Sequence, residues 1–275
     1  MIMKSFKPLY TTLLLAISLL MMACEEKIEL KVPDHQLSIL VVDGMITSDT
    51  TTHHVFLSLT GSFYMDEITP RVSGAQVSIS DNLGNVFPLT EGSPGIYQTQ
   101  PDVYGQVGVT YTLHIVHEGK TYQATSTMKR NAPIDSLSQR WDPMLEYYRI
   151  LLYGQEPAGK GDCYMWHLYR NGVRVTYNIA KVMVTDDNFI DGNYINGFEV
   201  DWWANDFNFQ SGDTITVAQH SLTREAYDFI LAVFTEHNGG MGGMRPPANL
   251  PSNISNGAKG LFHASAVNYA TRVLD

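Results

Sequence analysis

The chain has few cysteines and a shortage of positive charge. Two cysteines, Cys24 and Cys163, occur among its 275 residues. Lysine and arginine total 18 against 28 aspartates and glutamates, so the formal net charge at pH 7 is −10. No cluster of five or more basic residues occurs anywhere in the sequence. Nucleic acid and anionic lipid headgroups are therefore poor electrostatic partners, and we expect no nucleic-acid binding.

The sequence also lacks the short motifs that mark common catalytic and metal sites. It contains no Gly-x-Ser-x-Gly segment of a serine hydrolase and no His-x-x-x-His segment of a zinc site. Carboxylate pairs such as Asp201 and Asp206 could in principle act on a glycoside, but any acidic β-protein contains such pairs. We therefore predict no catalytic residue, no cofactor and no metal ion, and a hydrolase is the least favoured function.

A hydrophobic run near the start, "LLLAISLLMMACEEKIEL", decides where the protein is expected to work. Lys4 and Lys7 precede this run, and no charged residue occurs from Pro8 to Cys24. A positive start, an apolar centre and a small residue at a cleavage point are typical of a signal peptide. The uncharged stretch of about 15 to 17 residues is shorter than the roughly 20 that a transmembrane helix needs. We predict that residues 1–23 are removed as a lipoprotein signal peptide.

The dipeptide Ala23-Cys24 resembles the end of a bacterial lipobox, in which the cysteine is acylated and becomes the first residue. It predicts lipid attachment at Cys24, a tether over residues 24–36 and anchoring in the outer membrane. The alternative is an ordinary signal peptide that happens to end near a cysteine. If Cys24 carries lipid, Cys163 has no disulfide partner, and we expect a small buried apolar residue rather than a nucleophile.

Alternation of apolar and polar residues with a period of two dominates the chain from Leu37 onward. About seven short strands fall within roughly 95 residues, with turn signals every 8 to 12 residues, which is typical of an immunoglobulin-like sandwich. A small barrel would produce a similar pattern. We predict the sandwich over residues 37–130, and the polar segment Lys129–Ser136 as the boundary to a second domain.

The second predicted domain, residues 131–275, is also rich in strands. Asn171-Gly172 predicts a tight hairpin turn between two of them. The period changes once, over residues 223–237, where apolar residues recur at helical spacing. The predicted fold class is therefore all-β, with an N-terminal immunoglobulin-like sandwich followed by a second β-rich domain that contains one helix.

Two segments of the second domain are candidates for contact with a ligand or partner. The segment "DWWANDFNF" places Trp202 and Trp203 among aspartate and asparagine, a composition that suits stacking on a sugar ring or an apolar surface. The simpler alternative is that one of these tryptophans packs in the core. The glycine-rich segment "HNGGMGGMRPP" contains Met241, Met244 and Arg245, which could contact a partner if the loop lies at one end of the sandwich.

A third segment, "DDNFIDGNYINGF", has some features of a calcium-binding loop. Asp187, Asp191 and Gly192 occupy the first, fifth and sixth places of an EF-hand-type loop. The third place is Phe189 and the twelfth is Phe198, so two of the required oxygen ligands are missing. A polar β-turn explains the same residues, and it is the interpretation that we favour.

The two ends of the chain resemble a known family. The segment "SLTREAYDFILAV", followed by "PPANLPSNISNGAKGLFHASAV", is similar to the end of an uncharacterised family of Gram-negative lipoproteins, domain of unknown function 4249. The lipobox, the acidic tether and the strand "LVVDGMIT" resemble the start of the same family. The similarity extends from Cys24 to the C-terminus, and it rests on three motifs in order: Tyr227-Asp228-Phe229, Ser252-Asn253-Ile254 and Gly260-Leu261-Phe262.

This resemblance implies an outer-membrane lipoprotein, mostly β, of a kind often associated with TonB-dependent transporters. It implies no established activity and supplies no catalytic residues. We therefore expect a lipid-anchored binding or accessory protein that works with a TonB-dependent transporter in uptake. The alternative is a surface adhesin or a structural scaffold, in which the β-domains space another element from the membrane.

Overall fold

The computed structural model describes residues 38–61, 69–178, 181–201, 207–237 and 250–275. In these residues the chain forms three β-sheets and a single helix, which confirms the all-β prediction with one helix. Residues Ser38–Asp275 form one compact unit. The division of this unit into domains at residues 130 and 131 stays a prediction.

An eight-stranded sheet contains most of the N-terminal strands. Its members are β1 (Leu40–Thr47), β2 (His54–Leu59), β3 (Gln76–Asp81), β4 (Val86–Ser93), β5 (Ile96–Gln98), β6 (Thr110–His117), β7 (Lys120–Thr127) and β15 (Lys259–Ser265). They are hydrogen-bonded in the order β15-β1-β2-β5-β4-β3-β6-β7. The two ends of this order meet, because the backbone N–H of Ala264 in β15 donates to Oγ of Ser126 in β7 at 2.9 Å. The sheet thus folds back around one core in a β-sandwich-like arrangement.

The alternating pattern seen in the sequence places one face of each strand in this core. In β6, the side chains of Tyr111, Leu113 and Ile115 are all buried. In the neighbouring β7, Tyr122 and Ala124 face the same core. The period of two therefore specifies which face of these strands is inward.

The remaining strands form two smaller sheets. They are β8 (Ser136–Asp142), β9 (Tyr147–Gln155), β10 (Cys163–Arg170), β11 (Val173–Arg174), β12 (Met183–Asp186), β13 (Tyr194–Glu199), β14 (Thr214–Leu222) and β16 (Val267–Val273). One sheet has the order β11-β10-β14-β16 with β12 paired to β10, and the other has the order β13-β9-β8. The predicted hairpin turn is confirmed, since Asn171 and Gly172 join β10 to β11 with φ angles of 51° and 79°.

The helix α1 (Arg224–His237) follows β14 directly. The hydroxyl oxygen of Thr223 accepts a hydrogen bond from the backbone N–H of Ala226 at 3.2 Å, so Thr223 caps the N-terminus. Ala226 and Ile230 are buried and pack in a small core with Cys163 and other side chains of the neighbouring strands. Within the described residues, no helix has both the length and the apolar character needed to cross a membrane.

Two of the three motifs noted in the sequence, those at Ser252 and Gly260, lie at the junction between β15 and β1, whereas Tyr227-Asp228-Phe229 lies in the helix. The two strands are parallel, and Val41 pairs with Lys259 at one end of the register. Gly260 has a φ of 114°, and a Cβ atom there would overlap the carbonyl oxygen of Val42, so only glycine fits. The amide side chain of Asn253 donates to the carbonyl oxygen of Phe262 at 2.7 Å and accepts from its N–H at 3.0 Å. The pairing of β15 therefore accounts for Gly260 and Asn253 in these two motifs.

Candidate cation site

Three carboxyl groups meet between two loops beside the smaller sheets. Glu156 and Asp162 begin and end the loop between β9 and β10, and Asp187 begins the loop between β12 and β13. One oxygen from each carboxyl group lies within 4.8 Å of the others. Glu156, Asp162 and Asp187 have 0%, 8% and 1% of their surface exposed. We call these three residues the acidic cluster.

Backbone hydrogen bonds join the two loops around Asp187. Its carboxylate accepts from the N–H of Gly161 at 2.8 Å and from the N–H of Asp162 at 3.1 Å. Its own N–H donates to the carbonyl oxygen of Asp162 at 3.0 Å. Gly161 has a φ of 116°, which glycine adopts without strain and which turns its N–H toward Asp187. Asp187 is thereby held in one orientation.

Arg130 lies on the other side of the acidic cluster. Its guanidinium group contacts Oδ2 of Asp162 through Nε at 2.8 Å and through Nη2 at 2.7 Å. The same Nη2 donates to the carbonyl oxygens of Ala158 at 3.1 Å and Gly159 at 2.9 Å. Arg130 therefore holds the loop in place and contributes one positive charge beside three carboxyl groups.

Glu156 is the member of the acidic cluster that has a buried oxygen without a hydrogen-bond donor among the described residues. The hydroxyl of Tyr164 donates to Oε1 at 2.8 Å, whereas Oε2 is buried and has no hydrogen-bond partner among the described residues. The pKa of Glu156 is raised to about 7, mainly by burial and also by the nearby charges of Asp162 and Asp187, against the opposing effects of Tyr164 and Arg130. A buried acceptor without a donor is rare in folded proteins, so this oxygen requires an explanation.

The acidic cluster differs from the calcium loop considered in the sequence. Asp187 belongs to it, but the carboxylate of Asp191 instead accepts from the N–H of Gly159 at 2.6 Å. Phe189, at the third place of that loop, is 96% exposed. Glu156 and Asp162 were missed because they come from an earlier loop, at no spacing that a known motif specifies. The sequence feature that could have indicated these two residues is the segment "EPAGKGD", a glycine-containing loop between two strands with an acidic residue at each end.

The residues predicted to contact lipid, ligand or partner lie outside the described part of the chain. They are Cys24, Trp202, Trp203, Met241, Met244 and Arg245. Their roles therefore stay predictions. From the end of the aromatic segment, Phe207 and Phe209 are described, and both are buried with ring centroids 5.4 Å apart.

Asp201, one of the carboxylates considered for hydrolysis, is almost completely buried, with 1% of its surface exposed. Burial raises its pKa to about 7, while a hydrogen bond from the N–H of Ile150 and the charge of Arg149 oppose the shift. The second carboxylate considered, Asp206, lies outside the described residues. The proposed pairing of these two carboxylates stays untested.

Cys163 is buried, as predicted, with 1% of its surface exposed. Burial raises the pKa of its thiol to about 11, so the reactive thiolate is scarce at neutral pH. The prediction that Cys163 serves as a small apolar core residue is confirmed.

A second group of buried titratable side chains consists of His167, His220 and His263. The rings of His167 and His220 meet edge to face with centroids 4.5 Å apart. Among the described residues, neither Nε2 of His220 nor Nδ1 of His263 has a hydrogen-bond partner. Burial lowers the pKa of His220 to about 3 and that of His263 to about 4, so both rings are neutral near pH 7.

A groove of about 400 Å³ lies at one end of the eight-stranded sheet. The turn between β3 and β4 and the segment before β6 form its walls. Four apolar side chains on these two segments are between 48% and 65% exposed, namely Leu83, Val86, Tyr104 and Val107. The turn is firmly held, because Oδ1 of Asp81 accepts from the N–H groups of Leu83 and Asn85 at 3.0 and 2.8 Å. A fixed groove with exposed apolar residues nearby is typical of a contact surface.

Comparison with known proteins places the chain in a family that its sequence already resembles. A family model described as "Domain of unknown function (DUF4249)" matches residues 25–270, which is most of the chain. No curated protein matches the sequence. The chain belongs to the family of domain of unknown function 4249.

Proposed function

We propose that the protein is a lipid-anchored outer-membrane protein that acts by binding, as an accessory to a TonB-dependent transporter in uptake. The observation that carries this proposal is the segment that ends in Ala23-Cys24, because an uncharged run followed by a small residue and a cysteine is the form of a lipoprotein signal. Several acyl chains on one cysteine would hold the protein at the membrane, since each buried CH₂ contributes about 0.8 kcal/mol. The transporter part rests on the family resemblance.

The groove supports a binding role for the β-domain. Its exposed side chains, Val86 and Tyr104 among them, present apolar area that a partner would remove from water. Aromatic residues such as Tyr104 are enriched at protein interfaces. The turn at Asp81 is already held by hydrogen bonds, so binding there would cost less conformational entropy than binding to a mobile loop.

The anchor is tested by metabolic labelling with an alkyne fatty acid. We expect the wild-type protein and a Cys163→Ser variant to be labelled, and a Cys24→Ser variant to lose the label. Cys163→Ser is the matched control, because it removes the other cysteine of the chain. A Cys24→Ser protein that still carries the label would refute the lipid anchor.

The partner is tested by solubilising the outer membrane and purifying a tagged copy of the protein. We expect a TonB-dependent transporter to copurify, and Val86→Glu to reduce its recovery, because a charge in the groove must be desolvated on binding. Val173→Glu is the control, since Val173 is 68% exposed on β11, outside the residues that line the groove. Repeated absence of a transporter, together with normal uptake in a deletion strain, would refute the accessory role. The adhesin or scaffold alternative would then be favoured.

A further inference from the structure

We propose that Glu156, Asp162 and Asp187 bind a divalent cation, with calcium preferred over magnesium. The site lies among residues that the proposed transporter role does not use, and the proposal does not depend on the lipid anchor. It rests on three separate observations, namely the charge of the cluster, an unsatisfied oxygen within it, and the type and separation of its ligand atoms.

The first observation is the charge. When all three carboxyl groups are ionised they carry three negative charges, and Arg130 supplies one positive charge through its contacts with Asp162 at 2.7 and 2.8 Å. Two negative charges therefore remain in a region where all three carboxyl groups are nearly buried. Buried charge is costly unless it is paired or coordinates a metal ion. One divalent cation would neutralise the cluster.

The second observation is the unsatisfied oxygen of Glu156. The hydroxyl of Tyr164 donates a hydrogen bond to Oε1, and the buried Oε2 has no donor among the described residues. An ionised carboxylate can only accept, so a hydrogen-bond donor or a cation must meet this oxygen to offset its burial. In Asp162, both contacts of Arg130 go to Oδ2, and Oδ1 stays available to a ligand within the described part of the chain. Glu156 and Asp162 thus each offer an oxygen that no hydrogen-bond donor occupies among the described residues.

The third observation concerns the kind of ion. The cluster offers carboxylate oxygens and no imidazole or thiolate, which favours a hard cation such as calcium or magnesium over zinc. Calcium takes ligands at about 2.3–2.6 Å, so two ligands on opposite sides of the ion lie about 4.6–5.2 Å apart. The three oxygens all lie within 4.8 Å of one another, in the range of separations between two ligands of one calcium ion.

The position of the three ligands at the ends of loops also favours calcium over magnesium. All three residues lie at the ends of loops, and calcium tolerates the irregular coordination that loops supply, whereas magnesium demands a near-ideal octahedron at about 2.0–2.1 Å. The loop residues Gly159 and Lys160 are exposed, and Asp162 at the end of this loop keeps 8% of its surface exposed to solvent. Water molecules would complete the coordination, as they do in many calcium sites.

The experiment uses the detergent-purified protein after treatment with a chelator. Isothermal titration with CaCl₂ should give one site with a Kd of about 10⁻⁴–10⁻³ M, as in extracellular calcium modules that have few charged ligands. Titration with MgCl₂ should give weaker binding. Terbium offers a second probe, because Tyr164 lies within hydrogen-bonding distance of Glu156 and would transfer excitation energy to a bound lanthanide.

Two variants separate the acidic cluster from its surroundings. Glu156→Gln keeps the size of the side chain and an acceptor for Tyr164, and we expect calcium affinity to fall by about 10–100-fold or more. Asp191→Asn is the matched control, because its amide oxygen can still accept from Gly159 and Asp191 is outside the cluster. We expect its affinity to match the wild type. Circular dichroism establishes that each variant is folded.

Several outcomes would overturn the proposal. The absence of both binding heat and a thermal shift with CaCl₂ up to about 10 mM would rule out a site of the expected affinity. Unchanged affinity in Glu156→Gln, or an equal loss in Asp191→Asn, would place the ion elsewhere. Binding of MgCl₂ as tight as that of CaCl₂ would overturn the preference for calcium. If Glu156→Gln fails to fold, the terbium signal of the wild-type protein and its displacement by CaCl₂ decide the question.

Discussion

The substitution Gly260→Ala should destabilise the protein more than any ordinary glycine substitution in a turn. Gly260 lies where β15 pairs with β1, at a φ of 114°, and an added Cβ atom would lie 2.8 Å from the carbonyl carbon and 2.9 Å from the nitrogen of Val42. Both separations are shorter than a real Cβ atom tolerates, and the obstacle is backbone rather than a flexible side chain. The two strands would therefore have to separate at this point.

The magnitude follows from two contributions. A non-glycine residue held at a positive φ costs about 1–3 kcal/mol. Separation of the strands would also weaken two or three of the backbone hydrogen bonds near Val42, each with a net value of about 0.5–1.5 kcal/mol. The sum is about 2–7 kcal/mol, a large part of the roughly 5–15 kcal/mol by which a typical domain is stable. In urea, the unfolding midpoint should fall by about 1 M or more.

Gly257→Ala provides the control. Gly257 also has a positive φ, of 78°, but an added Cβ atom would meet nothing within 4 Å among the described residues. We expect this variant to lose about 1–2 kcal/mol from backbone strain alone. Equal urea midpoints for the two variants, with unchanged slopes, would refute the argument that the close approach of β15 to Val42 requires glycine.

Three further predictions concern the buried groups and the helix. The pKa values of His220 and His263 are lowered in the folded protein, so their contribution to stability is complete above pH 6.5 and is lost as the pH falls from 6.5 toward about 4 for His263 and about 3 for His220. Each should contribute a fall of about 1 kcal/mol in the free energy of unfolding per pH unit over that range, and a midpoint in urea that stays constant from pH 7 to pH 5 would contradict the assignment. Thr223→Ala should cost about 1 kcal/mol through loss of the cap on Ala226, and Thr223→Ser should restore most of it in the same measurement. In a Cys24→Ser background, Cys163 should react with a thiol reagent at pH 7.5 only after unfolding, and rapid reaction of the native protein would contradict its burial.

Local patterns in the sequence predicted the local elements of this fold well. The alternation around Leu113 and Ile115 correctly indicated the inward face of β6, because side chains on a strand point to opposite sides with a fixed period. The helix was predicted within one residue of its observed start at Arg224, since the apolar spacing and the cap at Thr223 act locally. Asn171-Gly172 indicated its hairpin for the same reason.

The pairing of β15 with β1 could not be predicted in this way. The two strands lie at opposite ends of the described chain. Because parallel strands are not joined by a tight turn, the sequence contains no turn signal that would indicate their pairing. The acidic cluster shares this difficulty. Glu156 and Asp187 come from separate loops, and their proximity depends on how β10 and β12 pair rather than on any spacing along the chain.

The parallel junction between β15 and β1 also has a consequence for the order of folding. β1 lacks one of its two neighbours until Lys259 has been made, which at about 5–20 residues per second takes roughly 10–45 s after Val41 appears. During that interval, the unpaired N–H and C=O groups of β1 form a sheet edge that could pair with another chain. Among the strands of this sheet, β1 is therefore the one at which newly made chains would pair with each other. A chain that lacks its last 20 residues would lack β15, and this edge of β1 would stay unpaired.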